Sequence, residues 1–268
     1  MTNTDPLALW EATAQDLLAV LHDLSEDEWE RPALPGWRVR DVLAHLAHLE
    51  SEAAGLEQPE GGRVDVETQA GRSMPMPVAV TEAGVAARRD RSVQDLLEEF
   101  ERACVARDDA LAKLDLSDPK APAPGLVGAL GWDLRTWLRN RPTDLWVHEQ
   151  DIRRATGRPM VTTSVGAAHG AGIMAAAFPI ALRKLPVGTS AVAHVTGPQG
   201  RVLSARVGDD GRGAPFDPSD GTDVALELSD ETWLLLTGGR IAPEDAQVAV
   251  TGDAEVAATV LRQINVTP

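Results

Sequence analysis

The 268-residue sequence holds a single cysteine, Cys104. That scarcity excludes an internal disulfide and any cysteine-based zinc cluster, and it fits a reducing compartment. Cys104 also sits among Glu101, Arg102, Ala103 and Val105 in a helical pattern, where an inert core thiol is expected rather than a nucleophile. Any thiol chemistry is therefore expected to use a thiol from outside the chain. Long apolar runs are missing too, since none approaches the roughly 20 residues of a membrane-spanning helix. The opening Met1-Thr2-Asn3-Thr4-Asp5 lacks the basic-then-apolar pattern of a signal peptide, so a cytoplasmic protein without membrane contact is expected. Basic residues are scarce: 25 Lys and Arg against 41 Asp and Glu give a formal charge of −16, a field that repels nucleic acid and anionic membranes. The stretches Ala87 to Arg91 and Arg135 to Arg141 are too short and interrupted to reverse it, and the acidity reads as solubility. There is no internal repeat and no low-complexity tract.

Apolar residues make up 43% of the chain, enough for a sizeable core, and the length predicts two domains. The first half reads as helices. Asp5-Pro6 offers a cap and a first-turn proline before the helical repeat of Leu7, Trp10, Ala14, Leu17, Leu18 and Leu21. A second helix runs from Val39 to about Ala54 and is ended by Gly55. The segment from Glu57 to Pro77 reads as a long connection, of the kind that often forms a functional lid. Ser92 caps a third helix that Asp118-Pro119 stops, and a fourth runs from Trp132 to Ala155 with a kink or short break at Pro142. Four such helices suit a bundle with a site in its interior.

Past a boundary near residues 157 to 163, the pattern changes. A helical run from Ser164 to Leu185, kinked at Pro179, leads to a predicted hairpin of Thr189 to Val195 and Arg201 to Val207. Val224 to Leu228 alternates like a strand, Asp230 can cap a short helix through Leu236, and Ala254 to Ile264 forms a last helix. The expected fold is α+β: a helical bundle over residues 1–160 and a smaller α/β domain over 161–268.

Of the six histidines, His22, His169 and His194 sit where a structural role is expected. On the second helix, His45 lies at the edge of the apolar stripe of Val42, Leu46, Leu49 and Ala53. His48 is turned further toward Asp41 and Glu52, where it could act as a proton carrier or merely be solvated, and a solvated ring is expected. On the fourth helix, Asp144 and His148 lie one turn apart, with Asp151 three residues on. A carboxylate and an imidazole on one helix, completed by His45 from a neighbour, can supply three ligands to a divalent metal and leave a position open for chemistry. The same spacing also suits a solvent-facing Asp-His pair and a satisfied core histidine.

The run Leu34-Pro35-Gly36-Trp37-Arg38-Val39-Arg40-Asp41-Val42-Leu43-Ala44-His45 resembles the Pro-Gly-Trp-x-x-x-Asp-x-x-x-His signature of the mycothiol-dependent maleylpyruvate isomerase family, a branch of the DinB-like metal-binding bundles. Asp144-Leu145-Trp146-Val147-His148-Glu149-Gln150-Asp151 is similar to its second metal motif, with aspartate where glutamate is usual. Leu235 to Arg240, Val250 to Asp253 and Val266-Thr267-Pro268 resemble its sterol-carrier-like C-terminal domain.

The resemblance implies a zinc site at His45, Asp144 and His148, mycothiol as thiol cosubstrate, and a reaction in which the activated thiol attacks a small electrophile, as an isomerase or an S-transferase. It also implies that Arg240 faces the active cleft, where a guanidinium can grip a substrate carboxylate; a surface charge at a helix end is its other reading. Asp151 is expected to support a ligand or the fold. A metal-dependent hydrolase using activated water and a non-catalytic metal-binding stress-response module remain rival readings of the same ligands. A monomer that binds neither nucleic acid nor membrane is expected.

Overall fold

The computed structural model describes residues 5–62 and 76–266. The chain divides into two compact units, Met1–Met160 and Val161–Pro268. The first is built from helices. Helix α1 (Pro6–His22) starts where the Asp5 carboxylate accepts the Leu7 N–H and Pro6 takes the first position, at which a missing N–H costs nothing. A short antiparallel ribbon follows, β1 (Pro32–Leu34) with β2 (Trp37–Arg38), turning at Gly36 with φ of 78°. Strand β2 runs directly into α2 (Val39–Ala53), whose first turn is closed by the Asp41 carboxylate accepting the Arg38 N–H at 2.8 Å.

Helix α3 (Met76–Ala86) has no counterpart in the sequence reading, because its apolar residues surround it without forming a stripe. The expected Glu57 to Pro77 connection overlaps only its first two residues, and residues 63–75 of that connection lie outside the described residues. Helix α4 (Val93–Leu111) is capped reciprocally by Ser92 and Asp95 and ends at Leu111, earlier than the Asp118-Pro119 stop signal. After the short α5 (Gly125–Ala129), α6 (Leu134–Ala155) begins at the cap residue Asp133 and continues through Pro142 as one helix, where a kink or a short break is expected. Helices α1, α2, α4 and α6 form the bundle, α2 against α4 and α1 against α6. Trp10, Leu17, Leu21, Val42, Leu46, Phe100, Trp137, Leu145 and Ile152 fill its core. Among the described residues, no helix is long and apolar enough to cross a membrane.

The second unit opens with α7 (Val165–Ala175) and α8 (Ala177–Ala181), two helices where one kinked run is expected. The break precedes Pro179, whose ring would press on the Ala175 carbonyl of a continuous helix. A five-stranded sheet follows in the order β5-β4-β3-β6-β7. Strands β3 (Ser190–Thr196) and β4 (Arg201–Val207) form the predicted hairpin, with β5 (Gly213–Ala214) added beyond β4. Strand β6 (Val224–Ser229) runs parallel to β3, and β7 (Ala249–Gly252) closes the far edge antiparallel to β6. Helix α9 (Asp230–Thr237) is capped by the Ser229 hydroxyl rather than by Asp230, and α10 (Ala254–Gln263) packs against α8 and β6.

Candidate metal centre

Helix α2 buries Val42, Leu43 and Leu46 in the bundle core, and His45, on the same turn, is carried inward with them to 4% exposure. Helix α6 presents Asp144 and His148 one turn apart, as its period requires. The two helices meet so that ligand atoms of His45, Asp144 and His148 all lie within 4.8 Å of one another. His45 Nε2 stands 3.5 Å from Asp144 Oδ2, and His148 Nε2 stands 3.6 Å from Asp144 Oδ1. The imidazole centroids are 4.8 Å apart, with the rings edge to face.

Protonation follows from the partners. His148 Nδ1 lies 3.0 Å from Asp151 Oδ2, and a carboxylate can only accept, so Nδ1 carries the proton and the lone pair is left on Nε2. Both ring nitrogens of His45 are buried with no hydrogen-bond partner, and burial holds its pKa below the ordinary imidazole value. Burial alone would raise Asp144, but the Arg141 guanidinium beside it overrides that and holds the carboxyl well below the usual range. An ionised carboxylate therefore faces two imidazole nitrogens, one at each oxygen, at distances too long for good hydrogen bonds. A cation among them would satisfy all three, and two imidazoles with one carboxylate is a donor set that suits zinc. Among the described residues no fourth His, Cys, Asp or Glu joins the group. The Asp144 side chain is 24% exposed while His45 and His148 are 6% and 9%, so the carboxylate side is where an outside ligand could reach.

Around this group stand Trp37, the tryptophan of the signature, and residues that the sequence does not single out. The Trp37 ring lies 5.3 Å from that of His45, and its Nε1–H donates to Glu82 Oε1 on α3 at 3.2 Å. Arg141 donates to Asp144 Oδ2 at 2.8 Å and to Glu50 Oε1 at 2.6 Å. Glu50 is also paired with Arg107. No local pattern could have announced that pairing, since 91 positions separate Glu50 from Arg141.

His48 departs from expectation. Its ring is wholly buried, not solvated, because α3 packs over that side of α2. Its Nδ1 meets Gln58 Oε1 at 2.9 Å, and burial lowers its pKa to about 4. Arg88 donates to the same Gln58 oxygen at 2.8 Å and pairs with Glu99 at 2.6 Å. Arg240 lies in the second unit, just beyond α9 and the tight turn at Gly239 (φ 65°). It is half-buried, and it lines a depression in that unit with Leu236, Pro243, Leu261, Arg262 and Asn265. Cys104 is partly buried, and burial pushes its thiol pKa up, so it stays protonated. His22 is an exposed partner of Glu101, and His194 faces out from β3.

A four-helix bundle that gathers two histidines and a carboxylate at one interior point falls in the class of bundles that house a site between facing helices. The chain belongs to the mycothiol maleylpyruvate isomerase family: the family model described as the mycothiol maleylpyruvate isomerase N-terminal domain matches residues 10–153, more than half of the sequence. The fold of the whole chain is similar to the crystal structure of the mycothiol-dependent maleylpyruvate isomerase, with 16% identity, 93% of each chain covered and a TM-score of 0.57. A histidine-to-alanine mutant of that enzyme matches equally, at 15% identity, 93% coverage of each chain and a TM-score of 0.57. No curated protein matches the sequence.

Proposed function

We propose that the protein is a metal-dependent, mycothiol-dependent isomerase or S-transferase acting on a small electrophile of the maleylpyruvate kind. The observation that carries this reading is the meeting of His45, Asp144 and His148 at one point, with both nitrogens of His45 buried and unpartnered, in a chain of this family. The three side chains would hold a divalent ion, zinc by donor type, with room for an outside ligand. Bound there, zinc would favour the thiolate form of a thiol at neutral pH.

The protein's own residues prepare the site. Asp151 keeps the His148 proton on Nδ1, so Nε2 is free to ligate. Burial keeps His45 neutral, as a ligand must be. Trp37 walls one side of His45 with an aromatic surface. Cys104, held protonated, is unsuited to replace the outside thiol. Arg240 would pair with a carboxylate of the electrophile.

The test begins with elemental analysis of protein purified without chelator, followed by incubation with mycothiol and maleylpyruvate. One divalent ion per chain is expected, lost in the His45→Ala/His148→Ala variant, with consumption of the electrophile only when the thiol is present. Return of the thiol would mark an isomerase, and its incorporation a transferase. Full metal occupancy in the double variant would overturn the site; thiol-independent turnover would point to a hydrolase, and metal without turnover to a non-catalytic module.

A further inference from the structure

Arg141 lies three residues before Asp144 on α6 and is buried. Its Nη1–H donates to Asp144 Oδ2 at 2.8 Å, while its Nε–H and Nη2–H both donate to Glu50 Oε1, at 3.1 and 2.6 Å. Glu50, on α2 and fully buried, is gripped at its other oxygen by Arg107 from α4. The Arg107 guanidinium in turn sits 5.0 Å over the Trp10 ring of α1 and 4.7 Å over the Trp137 ring of α6. All four bundle helices thus contribute to one continuous chain of contacts, and that chain ends on the carboxylate facing His45 and His148. Burial would raise the Glu50 pKa, but Arg107 and Arg141 override it and keep Glu50 ionised, so the brace is charged at every joint.

We infer that Arg141 is a positioning residue for the metal site: its planar fork, anchored on Glu50, fixes the orientation in which Asp144 is offered to a divalent cation shared with His45 and His148. The inference rests on the proposed metal site. Asp144 has a short side chain, so its oxygens cannot be re-aimed far once its backbone is set. A guanidinium this near a cation also repels it, and removing that charge should tighten binding, whereas losing the fork should loosen it. Lysine separates the two effects, because it keeps the charge but cannot span Glu50 and Asp144 as a planar fork.

The test uses cobalt(II) as probe, titrated into chelator-treated full-length protein, with affinity read by chelator competition and ligand geometry by the visible absorption bands. Wild-type protein must bind cobalt first; if it does not, the metal site itself fails and the result is distinct from a failure of Arg141. Expected is a 10-fold to 100-fold weaker affinity in both Arg141→Gln and Arg141→Lys, with shifted absorption bands. Wild-type affinity and bands in both variants would make Arg141 a purely structural residue and overturn the inference. Tighter binding in Arg141→Gln with no change in Arg141→Lys would overturn it as well, since the guanidinium would then act by charge alone. Should Arg141→Gln fail to fold with Glu50 left half-paired, Arg141→Lys retains the charge balance and decides the question.

Discussion

At the scale of single residues, sulfur chemistry and substrate charge can be tested separately. Burial keeps the Cys104 thiol protonated, and no ligand of the proposed site is a cysteine. Cys104→Ser is therefore expected to leave the rate within about twofold; a loss of two decades with the fold intact would show that the sulfur was assigned to the wrong molecule. Arg240 stands in the other unit from the three candidate ligands, so Arg240→Ala should retain metal. Against a carboxylate-bearing electrophile the barrier should rise by about 2 to 5 kcal/mol if the charge pair is desolvated. An uncharged electrophile is the control. Equal slowing of both substrates would assign Arg240 to the thiol or to the fold, and no slowing of either would make it a surface charge.

Among elements, the informative contact is that of α3 with α2. A methyl group added at Gly84 would come within 2.2 Å of His48 Cδ2, and the His48 ring is tied in place by Gln58. Helix propensity favours alanine over glycine by about 1 kcal/mol, while overpacking a fixed site costs about 1–3 kcal/mol. Because the ring has no room to swing away, overpacking should win, and Gly84→Ala is expected to lower the urea midpoint. A raised midpoint would mean that α3 rides loosely on α2. The same packing explains why His48 is misread from sequence: the face that points away from the apolar stripe is covered by a helix whose own sequence shows no stripe.

For the whole molecule, the buried imidazoles set how the fold responds to acid. Folded His48 takes up a proton only near pH 4, against an ordinary value of 6.5. Between those values the unfolded chain holds a proton that the folded chain lacks, so stability falls as pH falls through this window. The full effect from His48 is about 3 kcal/mol. His45 is shifted in the same direction when no metal is bound. Below the usual carboxylate range the depressed Asp144 and Glu50 add to the loss, because their stabilisation is present only while they stay ionised. Chelator-treated protein should therefore lose stability steadily in urea titrations from pH 7 to pH 4.5, and His48→Asn should flatten the slope. A wild-type profile already flat over that range would show that His48 is not held neutral in the folded state.

What the sequence determined by itself is what helical period and capping chemistry express locally. The cap at Asp5, the cap at Ser92, the inward turn of His45 and the shared stripe of Asp144 and His148 all follow from residues within a turn or two of each other. The β3–β4 hairpin was legible for the same reason, since its strands are joined by a short turn. Only the tertiary structure decided that α2 and α6 bring His45 against Asp144 and His148, that Glu50 and Arg107 brace Arg141, and that α3 seals His48 from water. Those pairings run from 36 positions, His48 to Gly84, to 103, His45 to His148, and a contact at such separation depends on how packed helices are arranged, which no local periodicity records.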